Sequence, residues 1–199
     1  MRRLFCVAVL LALCAFGGRA EVAPGDVADA PAAVDAAATE APADFAETDA
    51  PYGGEWLPFE DGFRLYLPRG WAPVALSEAQ RDAGLFYRAG SGDGMMGLAV
   101  GYMRAGSLAT VDALARDFEA VGYESVTQQN LNGIPAIGFE RPRDGYRGVA
   151  FFHPVYPDYV LYVYVSPLAP RDSEADRIGR ALLASIGPIG VPSERLKNN

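Results

Sequence analysis

The 199-residue sequence is poor in the residues that build reactive centres: one histidine, His153, and two cysteines, Cys6 and Cys14. A single histidine excludes a multi-histidine metal site, and two cysteines exclude a thiolate cage. Basic residues are also scarce, 17 against 25 acids, for a net charge of −8. That balance argues against nucleic acid, whose phosphates demand a Lys/Arg surface. No Asn-x-Ser/Thr acceptor for N-glycosylation occurs. Only one long apolar run is present, at residues 4–16.

That run follows Arg2 and Arg3 and is followed by Gly17, Gly18, Arg19 and Ala20. A charged start, a short apolar core and a small-residue exit form the pattern of a secretory signal peptide. As a helix the run spans about 20 Å, against roughly 30 Å of bilayer hydrocarbon. It therefore reads as residues 1–20 of an export leader cut after Ala20, leaving no stable membrane anchor. The product is expected in the periplasm or outside the cell. Lipidation at Cys14 is disfavoured because Leu13 is large where lipoprotein signals carry a small residue. Both cysteines then leave with the leader, so the exported chain relies on core packing without disulfides.

Residues 21–51 contain 12 Ala, 4 Pro and 8 acids, with no Lys or Arg and one aromatic, Phe45. Like charges repel, prolines interrupt helix and little can be buried, so the composition predicts a disordered linker. A domain over 52–188 and a frayed polar tail over 189–199 complete the expected organisation.

Within the domain, residues 63–67 (FRLYL) alternate as a strand does. Residues 85–88 and 95–104 are strand-like. The second carries Met96, Leu98, Val100 and Tyr102 on one face and Gly97, Ala99 and Gly101 on the other, where a helix or another backbone can come close. An amphipathic helix is expected over 107–121, with Ser107 as cap and Leu108, Val111, Leu114, Phe118 and Val121 as its stripe. Strands at 124–131 and 134–140 flank Asn132 and Gly133, a hairpin turn signal. Asp144 and Gly145 form a further turn before strands at 146–152 and 159–165. Ser173 with Asp176 starts a closing helix lined by Ile178, Leu182 and Ile186. The order β-β-β-α-β-β-β-β-α predicts an α+β domain: a mostly antiparallel sheet flanked by two helices.

The stretch 63–71 (FRLYLPRGW), the helix at 107–121, residues 131–136 (LNGIPA), the strand at 159–165 and the closing helix resemble the PsbP-like superfamily in order. That superfamily includes an extrinsic photosystem II subunit, a small Ran-binding import factor and exported bacterial domains. The resemblance implies an antiparallel sheet flanked by helices and a role in binding partners. It does not bring the photosystem role, since no residue matches the manganese-cluster contacts.

Reactive motifs are weak. Residues 92–97 (GDGMMG) match G-x-G-x-x-G but lead into a strand, whereas a dinucleotide site needs a helix there. His153 could act as a general base, but it lacks a G-x-S-x-G elbow. Glu60 and Asp61 point apart on a strand, and Asp172, Glu174 and Asp176 suit a helix start without metal. The sequence calls for no catalytic residue, metal or cofactor. The tyrosines stand out: if the strands at 63–67 and 159–165 share a sheet, Arg64, Tyr66, Tyr162 and Tyr164 would share one amphipathic surface. The competing expectation is that a helix covers that face. The leading functional expectation is an exported, non-catalytic module binding a protein, peptide or envelope component. The alternatives are a small-ligand carrier, with its pocket between sheet and helix, and a hydrolase using His153.

Overall fold

The computed structural model describes residues 53–59 and 62–189. The expected leader and linker, Glu60 and Asp61, and the tail from residue 190 lie outside the described residues. Among the described residues, ten strands and three α-helices run in the order β1 (Glu55–Phe59), β2 (Phe63–Leu67), β3 (Ala72–Pro73), α1 (Glu78–Asp82), β4 (Leu85–Gly90), β5 (Gly97–Arg104), α2 (Val111–Ala120), β6 (Glu124–Leu131), β7 (Ile134–Arg141), β8 (Tyr146–Phe152), β9 (Tyr159–Ser166), α3 (Glu174–Ala184) and β10 (Gly187–Pro188). A short 3-10 turn, Pro142–Asp144, links β7 to β8.

The strands form two antiparallel sheets. The larger has seven strands in the order β3-β4-β5-β9-β8-β7-β6, and the smaller has three, β1-β2-β10. The α+β class and the antiparallel pairing are as expected. The expected single sheet is not: Phe63–Leu67 belongs to the small sheet. β2 packs Phe63, Leu65 and Leu67 onto the large sheet, in one cluster with Leu98, Val100, Leu161, Val163, Leu182 of α3 and Ile186 just beyond it. On the opposite face α2 packs over β6 and β7, and its Leu114 and Phe118 join one buried cluster with Ile137, Phe139, Ala150, Tyr162 and Tyr164. The central strands β8 and β9 are thus buried on both faces, as their long apolar runs require, while the edge strands β3 and β6 are largely exposed. β8 is buried at six of seven positions.

Local starts and stops follow side-chain chemistry. α2 begins three residues later than the spacing suggested, because Thr110 Oγ1, and not Ser107, accepts from the Ala113 N–H. Ser173 Oγ accepts from Asp176 N–H at the start of α3, as expected. The strand expected from Met95 starts at Gly97, since Ser91 Oγ and Asp93 fold residues 91–96 into a turn. Asn132 and Gly133, at φ 51° and 100°, close the β6–β7 hairpin. The small face of β5 admits a side chain where a helix or backbone was expected. Gly101 stands opposite Tyr162 of β9, and a Cβ there would lie 2.4 Å from the Tyr162 ring.

Candidate functional site

The four residues expected to share a surface do not meet. Arg64 and Tyr66 lie on β2 and alternate with Phe63, Leu65 and Leu67, so they face away from the large sheet. The Arg64 guanidinium sits 4.5 Å above the Trp56 ring. Tyr66 is 2% exposed, packs edge-on against Trp56 and accepts from the Gly54 N–H through its hydroxyl. Tyr162 and Tyr164 lie on the far side of the core, in the cluster shared with α2, at 2% and 4% exposure. Tyr162 Oη donates to Ala83 C=O at 3.3 Å, and burial first, then the neighbouring Tyr164, raises its pKa. Tyr164 packs at a tilt against Tyr146, whose hydroxyl is 3.3 Å from that of Tyr123. The expected single surface is therefore replaced by a half-exposed Trp56–Arg64–Tyr66 group on the small sheet and a buried tyrosine cluster on the other side of the large sheet. The reason is the assignment of β2 to a separate sheet.

His153 is 6% exposed, and its Nδ1 accepts from the N–H groups of Val155 and Tyr156 at 3.1 and 3.0 Å. This fixes the turn between β8 and β9 and uses Nδ1 as an acceptor.

A groove of about 560 Å³ opens where the face of β6, β7 and β8 meets α3. Thr127, Gln129, Glu140, Arg147, Arg171 and Arg180 are among its lining residues. β6 is exposed at six of its eight positions, with Val126 half-buried and Leu131 buried, so its side chains on this face are hydroxyls and an amide. Gly138 of β7 gives them room: a Cβ there would stand 3.2 Å from Gln129 Nε2 and 3.4 Å from Thr127 Oγ1.

One buried carboxylate organises the charged wall. Asp176, in the first turn of α3, has its side chain 1% exposed. Its Oδ1 is 2.5 Å from Arg147 Nη1, and its Oδ2 accepts from Arg180 Nε at 3.0 Å and from Asp172 N–H at 3.1 Å. Arg147 also lies 3.4 Å from Glu140. Burial would raise the Asp176 pKa, but the Asp172 N–H and the two guanidiniums outweigh it and hold the carboxyl below its usual value. The ion pairs fix the Arg147 plane under the groove, while the Arg180 side chain remains 55% exposed at its rim. Three guanidiniums and one carboxylate line the groove, so its character is that of a hydrogen-bonding cleft with a cationic rim.

Sequence reasoning missed the groove residues and gave Asp176 only a helix-start role. The available signal was the run 127–130 (TQQN), a strand with almost no apolar alternation. The role of Asp176 was hidden because its partner Arg147 lies 29 positions earlier in the sequence.

A smaller hollow of about 250 Å³ lies beside the turn at Met95 and Met96, floored by Tyr146 and Tyr164. Among the described residues no group of three or more His, Cys, Asp or Glu is placed to hold a metal ion. Among them no helix is long and apolar enough to cross a membrane. No protein-family profile matches the chain, and a search of curated proteins also finds no match.

Proposed function

We propose that the chain is an exported, non-catalytic binding domain, and that the groove between β6–β8 and α3 holds an extended, carboxylate-bearing segment of a protein or envelope component. The groove carries the reading. Its hydroxyls, amide and guanidiniums are suited to hydrogen bonding and charge recognition, and Arg147 is held in place by Asp176 before any partner arrives. Arg171 and Arg180 supply the cationic rim that an acidic segment would meet. Export is supported by the charged, apolar, small-residue order of residues 1–20. A PsbP-like relationship is supported by the order of the quoted motifs and by the antiparallel sheet with helices on both faces.

Two features weigh against the other readings. Leu114 and Phe118 occupy the space between α2 and the sheet, where a carried ligand was expected. His153 Nδ1 is engaged by two backbone N–H groups.

The test places a photo-crosslinking side chain at Thr127 and, as a control, at Tyr102, which is 45% exposed outside the groove. In an envelope extract, a discrete adduct is expected at residue 127 alone, and Arg180→Ala should weaken it. An adduct indifferent to Arg180→Ala would remove the groove from the function. Turnover of an ester, glycoside or peptide substrate that disappears in His153→Ala would replace binding with catalysis.

A further inference from the structure

Among the described strands, the sheet edges are unequally protected. In the small sheet, β1 contains Pro58 and β10 ends in Pro188. In the large sheet, the β3 edge is two residues long and ends in Pro73. The other edge, β6, runs for eight residues with no proline and a single charge, Glu124 at its start. Prolines, charges and shortness are the usual means of keeping an edge from pairing, and β6 has none of them from Val126 onward.

The direction of its free backbone groups follows from the hairpin. The two-residue turn at Asn132 and Gly133 makes Leu131 and Ile134 a hydrogen-bonded pair. Alternation then commits the N–H and C=O groups of Gln129 to β7 and directs those of Gln128 and Asn130 outward. At the other end the register shifts between Glu124 and Thr127, and Ser125 adopts φ 52°, so the regular edge is residues 127–131.

We propose that this edge pairs with β6 of a second copy of the chain, antiparallel, around a twofold axis at Gln129. Gln128 then bonds Asn130 of the other copy and Asn130 bonds Gln128, giving four backbone hydrogen bonds. The side chains suit self-pairing. The stretch 127–131 is uncharged, so no like charges face each other along the paired strands, and Gln129 meets its own image with a donor and an acceptor on each amide. The helices suit it as well. α2 packs over β6 and β7, so pairing sets the two copies of α2 about two strand spacings apart, ~10 Å, which is a normal helix-packing distance. A lone peptide on the same edge would leave that side of α2 uncovered. The axis stands perpendicular to the sheet, so both grooves open on the same side and Gln129 and Thr127 of each copy border one continuous trough. The trough rests on the binding role proposed above, whereas the pairing rests on the edge alone.

The experiment is a cysteine crosslink in the full chain with Cys6 and Cys14 replaced by Ala. Gln129→Cys places two thiols at a non-hydrogen-bonded pair, with Cα atoms about 4.5 Å apart and within disulfide reach. Mild oxidation should convert it to a covalent dimer, while Gln128→Cys, which faces Asn130 of the other copy, should stay monomeric. By sedimentation equilibrium at about 100 µM, the unsubstituted chain should approach twice the chain mass, and Gln129→Lys, folded by circular dichroism, should fall to one. Monomer for the unsubstituted chain at that concentration, or equal crosslinking at positions 128 and 129, would overturn the proposal. Neither readout involves a groove ligand, so failure of the binding role would leave the crosslink unaffected.

Discussion

Arg147 of β8 and Asp176 of α3 lie in contact, Nη1 to Oδ1 at 2.5 Å, with both side chains at or below 10% exposure. They join the closing helix to the large sheet beneath the groove. Replacing Asp176 with Ala leaves the Arg147 charge buried with only Glu140 at 3.4 Å, and also frees the Asp172 N–H. A loss of roughly 3–5 kcal/mol is expected from urea unfolding. Asp176→Asn should retain the N–H acceptor and lose less.

The same carboxylate sets an acid limit. Its folded pKa is lowered relative to the ordinary 3.8, so it contributes stability above that value. The contribution falls as pH drops through 3.8 toward the folded value. Urea midpoints measured from pH 6 down to pH 2 should therefore fall more steeply for the unsubstituted chain than for Asp176→Asn. Parallel curves would show that Asp176 does not carry the acid dependence.

Gly101 and Tyr162 form the second critical fit. A Cβ at Gly101 meets the Tyr162 ring at 2.4 Å, so Gly101→Ala should cost about 1–3 kcal/mol through overpacking. In a Tyr162→Leu background the same substitution should cost markedly less. Additive losses in the double-mutant cycle would show that the ring does not occupy that space.

Asn132 has two tasks. It adopts φ 51° in the β6–β7 turn, and its Nδ2 donates to Ala184 C=O and Ile186 C=O at 3.1 and 2.8 Å. Asn132→Gly keeps the turn and removes the two bonds to the end of α3, at a cost of about 1–3 kcal/mol. Asn132→Ala adds the penalty of a left-handed alanine, of order 1 kcal/mol more. The order Asn, Gly, Ala in thermal midpoint is the check.

The main elements were legible because their signals are local. The Asn-Gly turn, the Ser173 start of α3, the alternation of Phe63–Leu67 and the apolar run at Tyr159–Ser166 each depend on neighbouring residues. What depended on distant partners was not legible. Nothing in FRLYL says whether β2 joins the large sheet or pairs with β1 and β10 above it, yet that choice sends Arg64 and Tyr66 away from Tyr162 and Tyr164. The short strands β3 and β10 are two residues each and carry no period to detect. The groove escaped notice because it is made by β6, β8 and α3 together, and the polar face of β6 alone reads as an exposed strand.

The binding role is tested most directly by nitrogen-15 NMR of the protein titrated with an extended acidic peptide and with the same peptide carrying lysine in place of each acid. The expected result is saturable shifts with the acidic peptide alone, centred on the amides of Thr127, Gln129, Arg147 and Arg180. Shifts confined to the Tyr102, Tyr156 and Tyr159 end of the molecule, or equal shifts with both peptides, would contradict it.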